Sequence, residues 1–162
     1  MPPSAISVVV CDAGPLIALG RLDRLGLLTI LFHDVQVPQA VLAECVLRPE
    51  LRDAQRIQSA VASVLFRVRD AQPVHVDGLG AGESAAIGLA IEIGAALLAD
   101  DLAARHYAHG VGLTVIGTLG VLVRGKRIGE VAAIRPLIDQ LRASGQRLSQ
   151  AAVAEALAAA GE

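Results

Sequence analysis

Apolar and polar positions along the chain switch between two periods, and the switches set the order of elements. Ile6-Ser7-Val8-Val9-Val10-Cys11 is an almost unbroken β-branched run without polar alternation, which predicts a parallel strand covered on both faces. It stops at Asp12, and Gly14-Pro15 predicts a turn into a helix with Pro15 at a first helical position. Leu16, Ile17, Leu19, Leu22, Leu25, Leu27 and Leu28 then recur at roughly helical spacing through two short helices, broken near Gly20 and Gly26. Asp34-Val35-Gln36-Val37 alternates like a short half-exposed strand. Pro38 opens a helix whose buried stripe is Val41, Leu42, Cys45 and Val46, with Glu44 inside it. From Leu51 to Leu65 a solvated helix is predicted, with Ala54, Ile57, Val61, Val64 and Leu65 inward and Arg52, Gln55, Arg56 and Ser59 facing away.

Arg67 to Gly78, with Pro73 and the alternating Val74 and Val76, reads as irregular chain or a small edge strand. Gly78 to Gly82 is a glycine-rich approach to a helix on which Ala86, Ile87, Ala90 and Ile91 repeat, and Glu83 starts that buried stripe. Ala95 to Ala99 is a second buried strand, ending at Asp100 and Asp101. A helix carrying Arg105, His106 and His109 follows, then a strand over Leu113-Thr114-Val115-Ile116 and a helix after Gly117-Thr118. Two further helices, Pro136 to about Ala143 and Ser149 to about Ala160, close the chain. Strand and helix in alternation are the signature of a parallel sheet with helices on both faces. No repeat or linker divides residues 1–162, so one domain is predicted, with its C-terminal helices from about 136 to 160.

Composition narrows the function. A chain of 162 residues that is 54% hydrophobic can bury a sizeable core, so disorder is excluded. The longest apolar stretch, Ala85 to Ala99, is too short for a bilayer span and contains Glu92. Met1-Pro2-Pro3-Ser4 lacks the basic start of a signal peptide, and a cytoplasmic location is expected. Cys11 and Cys45 both sit in apolar patterns and read as core thiols. A net charge of −2 argues against holding nucleic acid by bulk electrostatics, but leaves room for a local basic rim. With only Phe32, Phe66 and Tyr107, a stacking platform for bases is not expected.

The candidate chemistry is carboxylate chemistry. Two strands end in acids and two helices carry an acid on a buried stripe, giving Asp12, Glu44, Glu83 and the pair Asp100 and Asp101. Each has a structural explanation too: Asp12 as a helix cap, Glu44 as a snorkelling or arginine-paired side chain, Glu83 as a first-turn acid favoured by the helix dipole. Taken together in one cleft they would repel one another and raise each other's pKa, which cations relieve. An oxygen-rich set without histidine points to Mg²⁺ or Mn²⁺, and two such ions would permit hydrolysis of a phosphodiester by in-line displacement. His106 and His109 have helical spacing but no third ligand, and read as surface residues. The glycine-rich turn lacks the Gly-Lys-Ser/Thr ending of a nucleotide P-loop.

In this order, Val10-Cys11-Asp12-Ala13-Gly14-Pro15-Leu16-Ile17-Ala18-Leu19, Val37-Pro38-Gln39-Ala40-Val41-Leu42-Ala43-Glu44, Gly80-Ala81-Gly82-Glu83-Ser84-Ala85-Ala86-Ile87, Leu97-Leu98-Ala99-Asp100-Asp101 and Val115-Ile116-Gly117-Thr118-Leu119-Gly120-Val121-Leu122 resemble the PIN-domain superfamily. The likeness is greatest to its VapC-like toxin branch. The resemblance implies an α/β/α sandwich around a central parallel sheet and metal-dependent cleavage of single-stranded RNA. It also implies a homodimer and a cognate antitoxin. Carried over by position, Asp12, Glu44 and Glu83 match the first three metal-binding acids, and Asp100 or Asp101 the fourth. Many relatives have Ser or Thr after the first acid, where this chain has Ala13. Arg21, Arg24, Arg48 and Arg105 are candidate phosphate contacts. A PIN-like binding or scaffold protein is the rival reading. A haloacid-dehalogenase-like phosphatase would need an Asp two residues after Asp12, where Gly14 stands.

Overall fold

The computed structural model of the protein describes residues 6–162, and the opening Met1-Pro2-Pro3-Ser4 lies outside them. The elements in chain order are β1 (Val8–Cys11), α1 (Ala13–Arg21), α2 (Gly26–Leu31), β2 (Asp34–Pro38), α3 (Gln39–Cys45), α4 (Arg52–Ala62) and β3 (Arg67–Arg69). They continue with α5 (Ala81–Ile93), β4 (Ala96–Leu98), α6 (Leu102–Gly110), β5 (Val115–Ile116), α7 (Thr118–Arg127), α8 (Arg135–Ala143) and α9 (Gln150–Ala159). All pairings are parallel and the sheet order is β3-β2-β1-β4-β5.

The apolar run of β1 occupies the centre of this sheet, where Val9, Val10 and Cys11 are fully buried. From β1 the chain first moves outward through β2 to β3, then crosses back to β4 and continues to β5. Right-handed crossovers in opposite directions put their helices on opposite faces. Accordingly α1 packs on α4 and α7, with α2 also on α7, while α5 lies against β1, β2, β4 and α6. The result is a helix–sheet–helix sandwich. The direction of travel reverses between β1 and β4, which makes the carboxyl end of that pair the topological switch point where parallel sheets bind ligands.

Several local expectations change in the folded chain. Helix α1 begins two residues before Pro15, with Asp12 at its N-cap. Gly20 does not break that helix: Asp53 of α4 comes against it, and a Cβ there would meet the Asp53 Cβ at 3.1 Å. Strand β2 is covered, not half exposed, since it lies between β1 and β3. Its Gln36 is only 5% exposed and is satisfied by donating to Asp34 Oδ2 at 2.8 Å and accepting from Arg69 Nη1 at 3.4 Å. Arg56 does not face away from the fold. It is half-buried, donates to the Gly20 carbonyl at 2.7 Å and pairs with Asp23 at 3.4 Å, closing the C-terminal end of α1. Helix α4 ends at Ala62, and Val64 is 84% exposed in a left-handed conformation at φ 59° instead of continuing the stripe.

The segment between β3 and α5 is irregular, and Gly88 explains how it is laid down. Val74 donates to the Ser84 carbonyl at 3.1 Å, which draws the segment across α5. A Cβ on Gly88 would fall on the Gln72 carbonyl oxygen and lie 3.3 Å from the Pro73 Cα. Helix propensity alone favours Gly88→Ala by about 1 kcal/mol. The backbone collision opposes it, so Gly88→Ala is expected to lower stability by about 1–3 kcal/mol. Urea denaturation checks the sign, and a raised midpoint would show that the crossing does not depend on this glycine.

Candidate active site

The carboxyl edge at the switch point gathers the acids. Asp12 follows β1, and its backbone N–H donates to the Leu98 carbonyl of β4 at 2.9 Å, which fixes it at the crevice between the two strands. The residue is 5% exposed, and its Oδ1 accepts from the Ala13 amide at 2.8 Å. Glu44, in the last turn of α3, is exposed and not buried within its stripe. Its Oε1 accepts from the Gly82 amide at the start of α5, at 2.9 Å. Gly82 is required for that approach, because a Cβ there would meet the Glu44 Cδ at 2.9 Å. Glu83 is partly buried and reaches back to the Gly80 amide at 2.8 Å, as a first-turn glutamate can. Asp101 is the N-cap of α6 and accepts from the Ala104 amide at 2.9 Å.

Each of these carboxylates is therefore anchored through one oxygen to a backbone amide at or near a helix start. The second oxygen of each has no protein donor among the described residues, and none of the four is in an ion pair there. The consequence falls on Asp12, whose carboxyl is pushed up to about 7 by burial and by the charges of Glu83, Glu44 and Asp101, against the opposing pull of the Ala13 amide. The side chains stand around the edge and do not meet at a point. No three His, Cys, Asp or Glu among the described residues lie close enough together to hold one ion as they stand. That spread is what mutual repulsion favours.

Asp100 is placed differently from Asp101. Both its oxygens are occupied by Thr118, through the backbone amide at 2.7 Å and the hydroxyl at 2.5 Å, and its charge is not among those that raise Asp12. The candidate arginines also divide. Helix α1 starts at the carboxyl edge and runs back towards the start of β2, so Arg21 at its end and Arg24 beyond it lie far from Asp12. Arg48 pairs with the exposed Glu50 at 3.2 Å. Arg105 alone of the four is held at the edge, donating to the Ala99 carbonyl at the end of β4 at 3.0 Å. His106 and His109 are exposed. Cys11 and Cys45 are free and buried, as expected, and desolvation raises both thiols, Cys45 to about 12.

Residues 8–162 match the model of a family described as a PIN domain, DUF3368. The chain belongs to the PIN-domain family. No curated protein is significantly similar to it. Among solved structures, a domain of a functionally unknown protein from Methanocaldococcus jannaschii DSM 2661 is similar over 68% of this chain and 90% of that one, at 15% identity and a TM-score of 0.50. A PilT N-terminus domain protein from Sulfolobus solfataricus P2 is 20% identical, covering 72% and 92% of the two chains with a TM-score of 0.43. PIN domains are generally nucleases that use divalent metal.

The donor chemistry of this PIN domain suits such an ion. The open oxygens of these four acids are hard carboxylate donors, and the buried thiols are held protonated, a set that suits a hard divalent cation. The raised Asp12 carboxyl has a measurable consequence in the metal-free protein. The folded state holds its proton to higher pH than the unfolded chain does, so this stabilising contribution is full below about pH 4 and is lost as pH rises through about 7. Asp12→Asn should abolish that dependence and stabilise the metal-free chain at pH 8 by roughly 4 kcal/mol at most. Urea midpoints at pH 5 and pH 8 in chelator measure this, and parallel pH profiles for variant and wild type would contradict it.

Proposed function

We propose that the chain is a divalent-metal-dependent ribonuclease that hydrolyses phosphodiester bonds of single-stranded RNA. The observation that carries this reading is the set of four carboxylates, from four separate elements, at the switch point of a parallel sheet with no cationic side chain paired to them among the described residues. The family assignment points the same way.

Asp12, Glu44, Glu83 and Asp101 would hold the metal. Such an ion would supply Lewis-acid chemistry, lowering the pKa of a bound water and offsetting charge on the phosphate during hydrolysis, in which a water oxygen joins phosphorus and the ribose oxygen leaves with a proton. The protein's own contribution is positional. Asp12 is fixed by strand pairing, and Glu44 and Glu83 are tied to backbone amides in the first turn of α5 and at its cap. Asp100 secures the start of α7 through Thr118. On the resemblance to VapC-like toxins, we extend the proposal to a homodimeric toxin restrained by an antitoxin.

Cleavage of single-stranded RNA is expected only with added Mg²⁺ or Mn²⁺. Asp12→Asn and Asp101→Asn should reduce it to background, while Asp100→Asn, which keeps a partner for Thr118, should retain most of it. Metal-free protein assayed in excess EDTA and after readdition of each ion provides the test. Undiminished cleavage in EDTA would refute the metal requirement, and stable RNA binding without cleavage under any ion would favour the binding or scaffold reading.

A further inference from the structure

Beside the acidic edge, α6, β5, α7 and the length of α9 enclose an open groove of about 670 Å³. Four arginines line it: Arg105 from α6, Arg124 and Arg127 from the last turn of α7, and Arg147 from the segment before α9. None of the four is in an ion pair among the described residues, whereas Lys126, between two of them in sequence, turns away to Glu162 at 3.0 Å. Arg124 and Arg127 are three apart on one helix and present their guanidinium groups on the same side. The lining includes only two acids, Asp100 and Glu155, and Asp100 is already bonded to Thr118. Four of the chain's 14 basic residues thus meet two of its 16 acidic ones, so the groove is positive in a protein that is negative overall.

The groove is also continuous with the candidate active site. Asp100 lines it and is bonded in sequence to Asp101, and Arg105 is tied to the carbonyl that ends β4. Leu102, directly after Asp101, is 82% exposed on its wall and offers an apolar face on which a base can rest. A single phosphate ion would need one compact cradle of donors. Arginines distributed over three segments suit an extended anion with repeated charges instead. We propose that this groove is the track that carries the phosphate backbone of single-stranded RNA away from the acidic edge, an inference that rests on the ribonuclease reading for the identity of the polyanion. With no aromatic side chain in its lining, the track reads backbone charge and not sequence.

The test is a fluorescence-anisotropy titration of full-length protein with a labelled oligouridylate in EDTA, repeated across a salt series. Arg127 and Arg147 are exposed and have no side-chain partner among the described residues, so R127A/R147A should keep the wild-type melting midpoint. It should bind RNA at least tenfold more weakly at low salt, and its log–log salt slope should be shallower by about 1.4, at roughly 0.7 per lost phosphate contact on a single strand. Arg142→Ala, on α8 outside the groove, should bind as the wild type does. Absent RNA binding by the wild type, or unchanged binding by a folded double variant, would overturn the proposal. So would polyglutamate binding as tightly as RNA through the same two arginines, which would make the groove a site for an acidic polypeptide. Because the titration is free of metal, it separates the two readings. Cleavage that depends on Asp12 with affinity indifferent to R127A/R147A removes the track alone. RNA bound through the groove but cleaved under no ion removes the nuclease alone.

Discussion

Burial of the Asp12 carboxylate among like charges at one sheet edge is the constraint on which the rest of the arrangement depends. Asp12 is nearly inaccessible, and burial of an unpaired carboxylate is costly enough that proteins ordinarily neutralise it or give it a partner. Here burial, and after it the like charges of Glu83, Glu44 and Asp101, push the carboxyl up to about 7. Nothing in the packing requires this. Asn would accept the Ala13 amide as well as Asp does, and Cys11 and Ala13 on either side show that the position tolerates apolar neighbours. The charge is retained at a cost to the folded chain, and a cost of this kind is expected where a cation is to be held.

The fold offsets part of that cost with backbone amides. Glu44, Glu83 and Asp101 each have one oxygen on an N–H at or near a helix start, where the helix dipole is positive. Two of these amides belong to the first turn of α5 or its cap, so α5 is the common support of the glutamates. This explains the glycine-rich approach Gly78 to Gly82 better than flexibility does. Gly82 is where the Glu44 carboxylate lies against the helix backbone, and any side chain there would displace it. The anchoring also keeps the second oxygens apart and open, so affinity for a cation and separation of like charges follow from the same contacts.

The sheet, its parallel sense and the acids at strand ends were legible in the sequence because each rests on a local signal: apolar runs of strand length, two of them stopping at a carboxylate. What the sequence did not disclose depends on direction or on contacts between distant segments. Arg21 and Arg24 looked close to Asp12 along the chain, yet a helix returning from the carboxyl edge carries its last turn to the opposite edge. Gln36 and Arg56 read as solvent-facing by pattern, but Gln36 accepts from Arg69 of β3 and Arg56 donates to the Gly20 carbonyl of α1. Asp100 and Asp101 were equivalent in sequence. They became distinct only when Thr118, 18 residues on, bonded one of them. Gly88 carried no signal as a packing residue, since the backbone it touches comes from a segment without regular structure.

The basic residues show the same limit from the other side. A net charge of −2 describes the whole chain, but electrostatic recognition acts over roughly 10 Å or less at physiological ionic strength, so the local balance decides. Arg105, Arg124, Arg127 and Arg147 are spread over more than 40 positions and mean little in sequence until α6, α7 and α9 close around one groove. Placing positive charge beside the acids, and not among them, resolves a conflict inherent in such a site. On the proposed function, arginines in contact with Asp12 or Glu83 would neutralise the charges assigned to holding a cation. Displaced along α6 and α7, they can attract a polyanion to an edge that would otherwise repel it, while the carboxylates remain unpaired. The separation of acids at the switch point from arginines in the adjoining groove is therefore as much a requirement of the chemistry as the acids themselves.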